Sequence, residues 1–256
     1  MGDEILYERK LPVREIASDS YRYVWANRSA LILPLALLLI FDLLLTWPAR
    51  QTTPETGYNL GQFALVWLWT FGIMAFAVGL HRRILLDEPR QDFALLSPSR
   101  TLPVYFWTAL KVSVAMGVIT FLLTLPLGAF QDMAAAAAGQ RPLAEHLHPP
   151  SFAAVFLSLL IAVRFTLALP GAATYGMRLL RESWWMTRGN WGRLIVIVLL
   201  VFLPFQLPSL ALQQISLGDV SWAASVLNAI LTIAAVPVAT VALSLSYRTL
   251  APAMAQ

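Results

Sequence analysis

The sequence predicts an all-α polytopic membrane protein, and three observations predict it. Six long apolar runs divide the chain: Ala30–Trp47, Phe63–Leu80, Pro103–Leu127, Phe152–Tyr175, Leu194–Leu212 and Trp222–Tyr247. Each supplies the roughly 18 residues that cross a hydrocarbon core of about 30 Å as a helix. Charged residues make up 12% of the chain against 58% hydrophobic, where a soluble domain carries about a quarter charged. The segments between the runs alternate between basic and nearly uncharged. In lipid the backbone must satisfy its own hydrogen bonds, so the runs are read as helices and not strands.

The N-terminal arm, residues 1–29, is basic through Arg9, Lys10, Arg14, Arg22 and Arg28. Within it Leu11–Trp25 reads as an interfacial helix capped by Asp19 or Ser20, or else as a charged tail. The second connection carries Arg82, Arg83, Arg90 and Arg100, the fourth Arg178, Arg181, Arg188 and Arg193, and the tail Arg248. Only Arg50 and Arg141 occupy the opposite side. The asymmetry of fourteen against two places both termini and the even connections in the cytoplasm. The third connection holds an alanine run, Ala134–Ala138, that could form a short helix before Pro142 and Pro149-Pro150 break it. All 256 residues therefore form one membrane domain with no separate soluble module.

In the fourth connection Met177, Leu180 and Trp184 recur at helical spacing, with Arg178, Arg181 and Arg188 largely off that stripe. A short amphipathic helix in the membrane plane is expected, with Trp184, Trp185 and Trp191 anchoring at headgroup depth. Gly189-Asn190 then breaks it and the chain re-enters at Trp191. A fainter copy of the same layout surrounds the second connection. There Arg82 and Trp107 stand 82 and 84 residues before Arg164 and Trp191, which suggests two span–interfacial helix–span units.

The segments Arg164-Phe-Thr-Leu-Ala-Leu-Pro170, Leu180-Arg-Glu-Ser-Trp184 and Thr187-Arg-Gly-Asn-Trp191-Gly-Arg193 carry a resemblance. The chain resembles a family of uncharacterised bacterial six-span inner-membrane proteins, related to membrane regions fused to glycerophosphodiester phosphodiesterase domains. The resemblance implies a bacterial inner-membrane location and a link to phospholipid or envelope metabolism. It implies no hydrolase residues, because catalysis in the fused forms belongs to a soluble barrel that this sequence lacks.

Ionisable residues inside a bilayer cost about 2.5–3.5 kcal/mol on insertion scales, so each asks for a role. Arg164 lies near the middle of the fourth run, where it either binds a lipid phosphate in a polar cleft or pairs structurally. Asp42, on the outer half of the first span, is its best partner. Lys111 either snorkels to the interface or touches a headgroup. With Arg178, Arg181, Arg188 and Arg193 these form the lipid- and anion-binding candidates. Asn228 reads as interhelical glue. Pro34, Pro126, Pro170, Pro204, Pro208 and Pro237 kink or break helices, and a break near Arg164 would suit a transporter.

Enzymatic constellations are not found. His146-x-His148 in the third connection could hold a metal only with a third ligand such as Glu145 or Asp132, and has no further cluster around it. No Gly-rich phosphate loop, Ser–His–Asp set or intramembrane carboxylate pair occurs. Without cysteine there are no disulfides and no thiolate sites. The expectation is a non-catalytic, cofactor-free membrane protein that binds anionic phospholipids. It serves a membrane complex or envelope homeostasis, with other membrane proteins or its own copies as further partners. The alternative is a small transporter or lipid translocator with Arg164 lining the pathway. Nucleic acid is excluded as a partner, because the basic residues flank spans.

Overall fold

A computed structural model describes residues 10–51, 60–88, 100–137, 152–175, 180–215 and 221–251. The described residues are helical, with no strand among them. In order they form α1 (Val13–Ala26), α2 (Arg28–Gln51), α3 (Leu60–Leu85), α4 (Leu102–Ala137), α5 (Phe152–Ala162), a 3₁₀ turn (Val163–Phe165), α6 (Ala168–Tyr175), α7 (Leu180–Met186), α8 (Trp191–Ile215) and α9 (Ser221–Leu250). Five segments are long and apolar enough to cross a membrane: Phe63–Leu85, Leu102–Thr124, Leu157–Tyr175, Trp191–Leu212 and Ala223–Leu250. The first expected span, α2, joins them only when taken together with α1 across an 86° bend.

α9 is the hub. It packs on α8, α3, α1 and α2. Lipid tails are as apolar as leucine, so burial alone does not drive helices together in a bilayer, and close packing and buried hydrogen bonds must do it. Both are present. Small residues let α6 approach α3, where Ala77 and Val78 meet Ala172, Ala173 and Tyr105. Between α8 and α9 the Ser209 hydroxyl donates to the Asn228 side-chain oxygen, the interhelical role expected of Asn228. Between α3 and α9, His81 Nδ1 lies 2.7 Å from Ser244 Oγ. That hydroxyl donates its own proton to the Thr240 carbonyl at 2.9 Å. With its one proton so used, Ser244 accepts from Nδ1–H, which assigns the imidazole tautomer.

α1 departs from the expected cap. Pro12 occupies the N-cap position, and no side chain caps the helix. Asp19 and Ser20 therefore lie inside α1: Ser20 donates back to the Ile16 carbonyl at 2.6 Å, and Asp19 pairs with Arg22 at 3.5 Å. Ile16, Ala17 and Ser20 are buried, so the apolar face of α1 is covered by α8 and α9. Two side chains fasten it. Asn190 Oδ1 accepts from the Leu11 N–H at 2.9 Å, and Arg193 donates to the Leu11 carbonyl at 3.0 Å. Farther along, the Tyr21 hydroxyl lies 3.1 Å from the Leu200 carbonyl and 3.0 Å from that of Val201. Pro204, inside α8, has no N–H to give the carbonyl four residues before it. That carbonyl is Leu200, so Tyr21 supplies the donor the proline withholds.

Two further expectations are corrected. The alanine run does not form a separate helix, because α4 continues through Pro126 to Ala137. The fourth run is not one continuous helix either. It breaks into a 3₁₀ turn at Val163–Phe165 between α5 and α6. The second connection between residues 89 and 99, His146, His148 and Arg178 lie outside the described residues.

Candidate functional site

The break in the fourth run builds the site. Where an α-helix gives way to a 3₁₀ turn, carbonyls lose their usual donors and need others. Here the chain after α6 returns to supply them. Ser183, fully buried on α7, donates to the Arg164 carbonyl at 2.7 Å. Trp191, first residue of α8, donates its indole N–H to the Leu160 carbonyl at 2.7 Å. Thr187 is also fully buried and donates to Ser183 O at 2.9 Å. Gly189 takes φ +80°, a conformation glycine adopts without penalty, and this turns the chain into α8.

The guanidinium of Arg164 lies on this scaffold. Its carbon sits 3.5 Å from the centre of the Trp184 ring, stacked as a planar cation on an aromatic face. Phe165 packs against the same indole at 5.3 Å. The hydrogen bonds are long: Nε to Thr187 Oγ1 at 3.5 Å and Nη2 to the Trp184 carbonyl at 3.3 Å. Beside it Arg188 lies 5.4 Å from the centre of the Trp185 ring, within electrostatic reach of Arg164. Trp184, Trp185 and Trp191 are 37%, 46% and 41% exposed. The result is a partly exposed platform of two arginines on two indoles. Among the described residues no carboxylate forms an ion pair with Arg164.

The expected Arg164–Asp42 pair is not brought together. Asp42 is on α2, whose main neighbours are α3 and α9, and the partners of Arg164 come from residues 184 and 187. Nor does Arg164 point into a cleft at mid-span, because the broken helix turns it toward the α7–α8 connection. Of the other candidates, Lys111 and Arg181 are exposed, and Arg193 is a strap on the N-terminal arm. The stripe expected on α7 is also changed. Its buried position is Ser183, while Trp184 covers the arginine.

Two polar residues at this end of the bundle have tertiary roles that their local sequence does not signal. Asn190 follows a glycine, a pattern that signals only a turn, yet it anchors the start of α1. Arg83, which in sequence signals only positive charge, donates from Nη2 to Asn27 Oδ1 at 3.1 Å. Among the described residues, no group of three or more His, Asp and Glu could hold a metal ion.

Compared with family models, with curated proteins and with solved structures, this chain has no match, so the platform's chemistry alone carries the functional reading.

Proposed function

We propose that this chain is a non-catalytic, six-span protein of the bacterial inner membrane, both termini cytoplasmic, that holds anionic phospholipid headgroups. It acts as an accessory or lipid-handling component of a membrane complex or of envelope homeostasis. One observation carries the reading: Arg164 is stacked on an exposed indole at 3.5 Å, next to a second arginine, with no carboxylate to neutralise it among the described residues. A stacked guanidinium keeps its remaining N–H groups in a fixed fork, the geometry that takes two phosphate oxygens. Exposed tryptophans belong at headgroup depth. The orientation rests on the distribution of Lys and Arg, which puts this platform on the side where anionic lipids attract basic segments.

A translocator with Arg164 in its pathway has less support. Its substrate would need the free backbone groups of a broken helix. At this break the Leu160 and Arg164 carbonyls are taken by Trp191 and Ser183.

The test is lipid competition in nanodiscs that mix phosphatidylglycerol with phosphatidylcholine. The wild-type chain retains phosphatidylglycerol selectively. Arg164→Leu folds but loses the selectivity, and Arg164→Lys, which keeps charge without the planar fork, restores only part of it. Unchanged selectivity in Arg164→Leu would refute the reading.

A further inference from the structure

A cavity of about 420 Å³ opens at the same end of the bundle, between the bend joining α1 to α2, the end of α3 and the end of α9. This is the size range of small-ligand sites. Its walls have opposite character. Arg83 and Arg248 supply positive charge, Asp87 and Glu88 negative charge, and Leu245 an apolar patch.

Three features show that this is more than a gap between helices. Arg83 Nη1 is buried with no hydrogen-bond partner, a costly state for a charged donor and one that a bound acceptor would relieve. The same guanidinium is held in place from its other side. Its Nη2 bonds Asn27 Oδ1, and Asn27 Nδ2 in turn donates to the Tyr23 carbonyl at 2.8 Å. Finally, Asp87, two residues beyond the end of α3, takes φ +49°, a conformation where glycine or asparagine is usual and aspartate is tolerated. Glu88 is paired with Arg82. Among the described residues Asp87 and Arg248 form no ion pair.

The Tyr23 phenol feels both walls. Burial pushes it above the ordinary tyrosine range, while Arg83 pulls it down and Asp87 raises it. It therefore remains a protonated donor at neutral pH, between an anionic and a cationic side. A bare phosphate here would meet the carboxylates, and a bare amine would meet the arginines. A molecule carrying both charges a short distance apart satisfies the two walls together.

We propose that this cavity binds a phosphoethanolamine group, its phosphate taken by Arg83 and Arg248 and its primary ammonium by Asp87. The same chemistry occurs in a phosphatidylethanolamine headgroup and in soluble O-phosphoethanolamine. Leu245 favours the lipid, because it gives the cavity an apolar wall, and soluble O-phosphoethanolamine has no hydrocarbon chain to set against it. A quaternary ammonium has no N–H to give Asp87, so phosphatidylcholine is discriminated against.

The experiment uses the full chain, titrated by native mass spectrometry with phosphatidylethanolamine, with phosphatidylcholine of identical acyl chains, and with O-phosphoethanolamine. The expected result is a preference for phosphatidylethanolamine over phosphatidylcholine of about tenfold, the factor one charge-assisted hydrogen bond supplies. Asp87→Asn, which suits the positive φ, abolishes that preference without weakening phosphatidylcholine. Arg248→Gln weakens both lipids. Arg83→Gln does the same where it folds, and the other two variants carry the test where it does not. Arg164→Leu leaves the preference unchanged, which separates this site from the platform. Binding of O-phosphoethanolamine with the same dependence on Asp87 would support the chemistry and name a soluble source. Equal retention of the two lipids, or a preference indifferent to Asp87→Asn, overturns the proposal.

Discussion

Removing the Ser244 hydroxyl should destabilise the bundle through His81, and only through His81. The imidazole is 1% exposed, its Nδ1 is 2.7 Å from Ser244 Oγ, and its ring packs 5.9 Å from that of Tyr105. In Ser244→Ala the buried N–H keeps its place but loses its acceptor, a penalty of about 1–3 kcal/mol. Interhelical hydrogen bonds in a membrane average about 0.6 kcal/mol and reach about 1.7, because the separated helices find other partners. The expected loss is therefore about 1–2 kcal/mol. His81→Leu behaves differently. Ser244 still donates to Thr240 at 2.9 Å, so nothing polar is orphaned and the cost is that of repacking, below about 1.5 kcal/mol. In His81→Leu the further change Ser244→Ala should then cost almost nothing, a coupling of about 1–2 kcal/mol. Reversible unfolding in mixed micelles measures all four corners of the cycle. If Ser244→Ala costs the same with and without His81, the hydrogen bond is not what joins α3 to α9 and the reasoning fails.

Other consequences are as direct. Tyr21→Phe orphans the Leu200 carbonyl and should cost about 1 kcal/mol, and thermal unfolding should show that cost shrinking when Pro204→Ala restores a backbone donor. Asn190→Ala leaves the buried Leu11 N–H unpaired. Hydrogen exchange across residues 11–26 should accelerate about tenfold for each 1.4 kcal/mol lost, with α3 unaffected. Trp184→Ala removes the face under Arg164, worth about 0.5–2 kcal/mol. Retention of phosphatidylglycerol should fall several-fold, and Trp184→Phe should lie between mutant and wild type.

The long helices were legible because their signal is long. A run such as Leu194–Leu212 cannot satisfy its backbone in lipid in any other way, and α8 covers it with three residues to spare at each end. Helix ends were less legible, because they depend on single residues whose roles compete. Pro12 opens α1 where Asp19 and Ser20 looked like caps, and Pro126 leaves α4 unbroken where an interruption was expected. The break at Val163–Phe165 lies one turn before Pro170, which has no N–H for the Thr166 carbonyl. The proline alone does not say which distant groups take up the freed carbonyls. The break exists because Ser183 and Trp191, at least eighteen residues away in sequence, take up the carbonyls it exposes. The site was half visible for the same reason. Arg164 and the tryptophans announced themselves by composition, but which indole lies under which arginine is a tertiary fact. Asp42 looked like the partner of Arg164 by depth alone, and depth says nothing about which helices are neighbours. Arg83 passed as one more positive charge, since an unsatisfied Nη1 exists only once the fold has closed around it.

The most direct measurement of the central claim is a native mass spectrum of the intact protein, extracted gently from its own membrane, beside Arg164→Leu prepared identically. The account predicts a wild-type chain, alone or with partner subunits, that carries tightly held anionic phospholipid, and a folded mutant from which that lipid is gone. Identical lipid content in the two preparations, or only the generic mixture of the surrounding bilayer on the wild type, would contradict it.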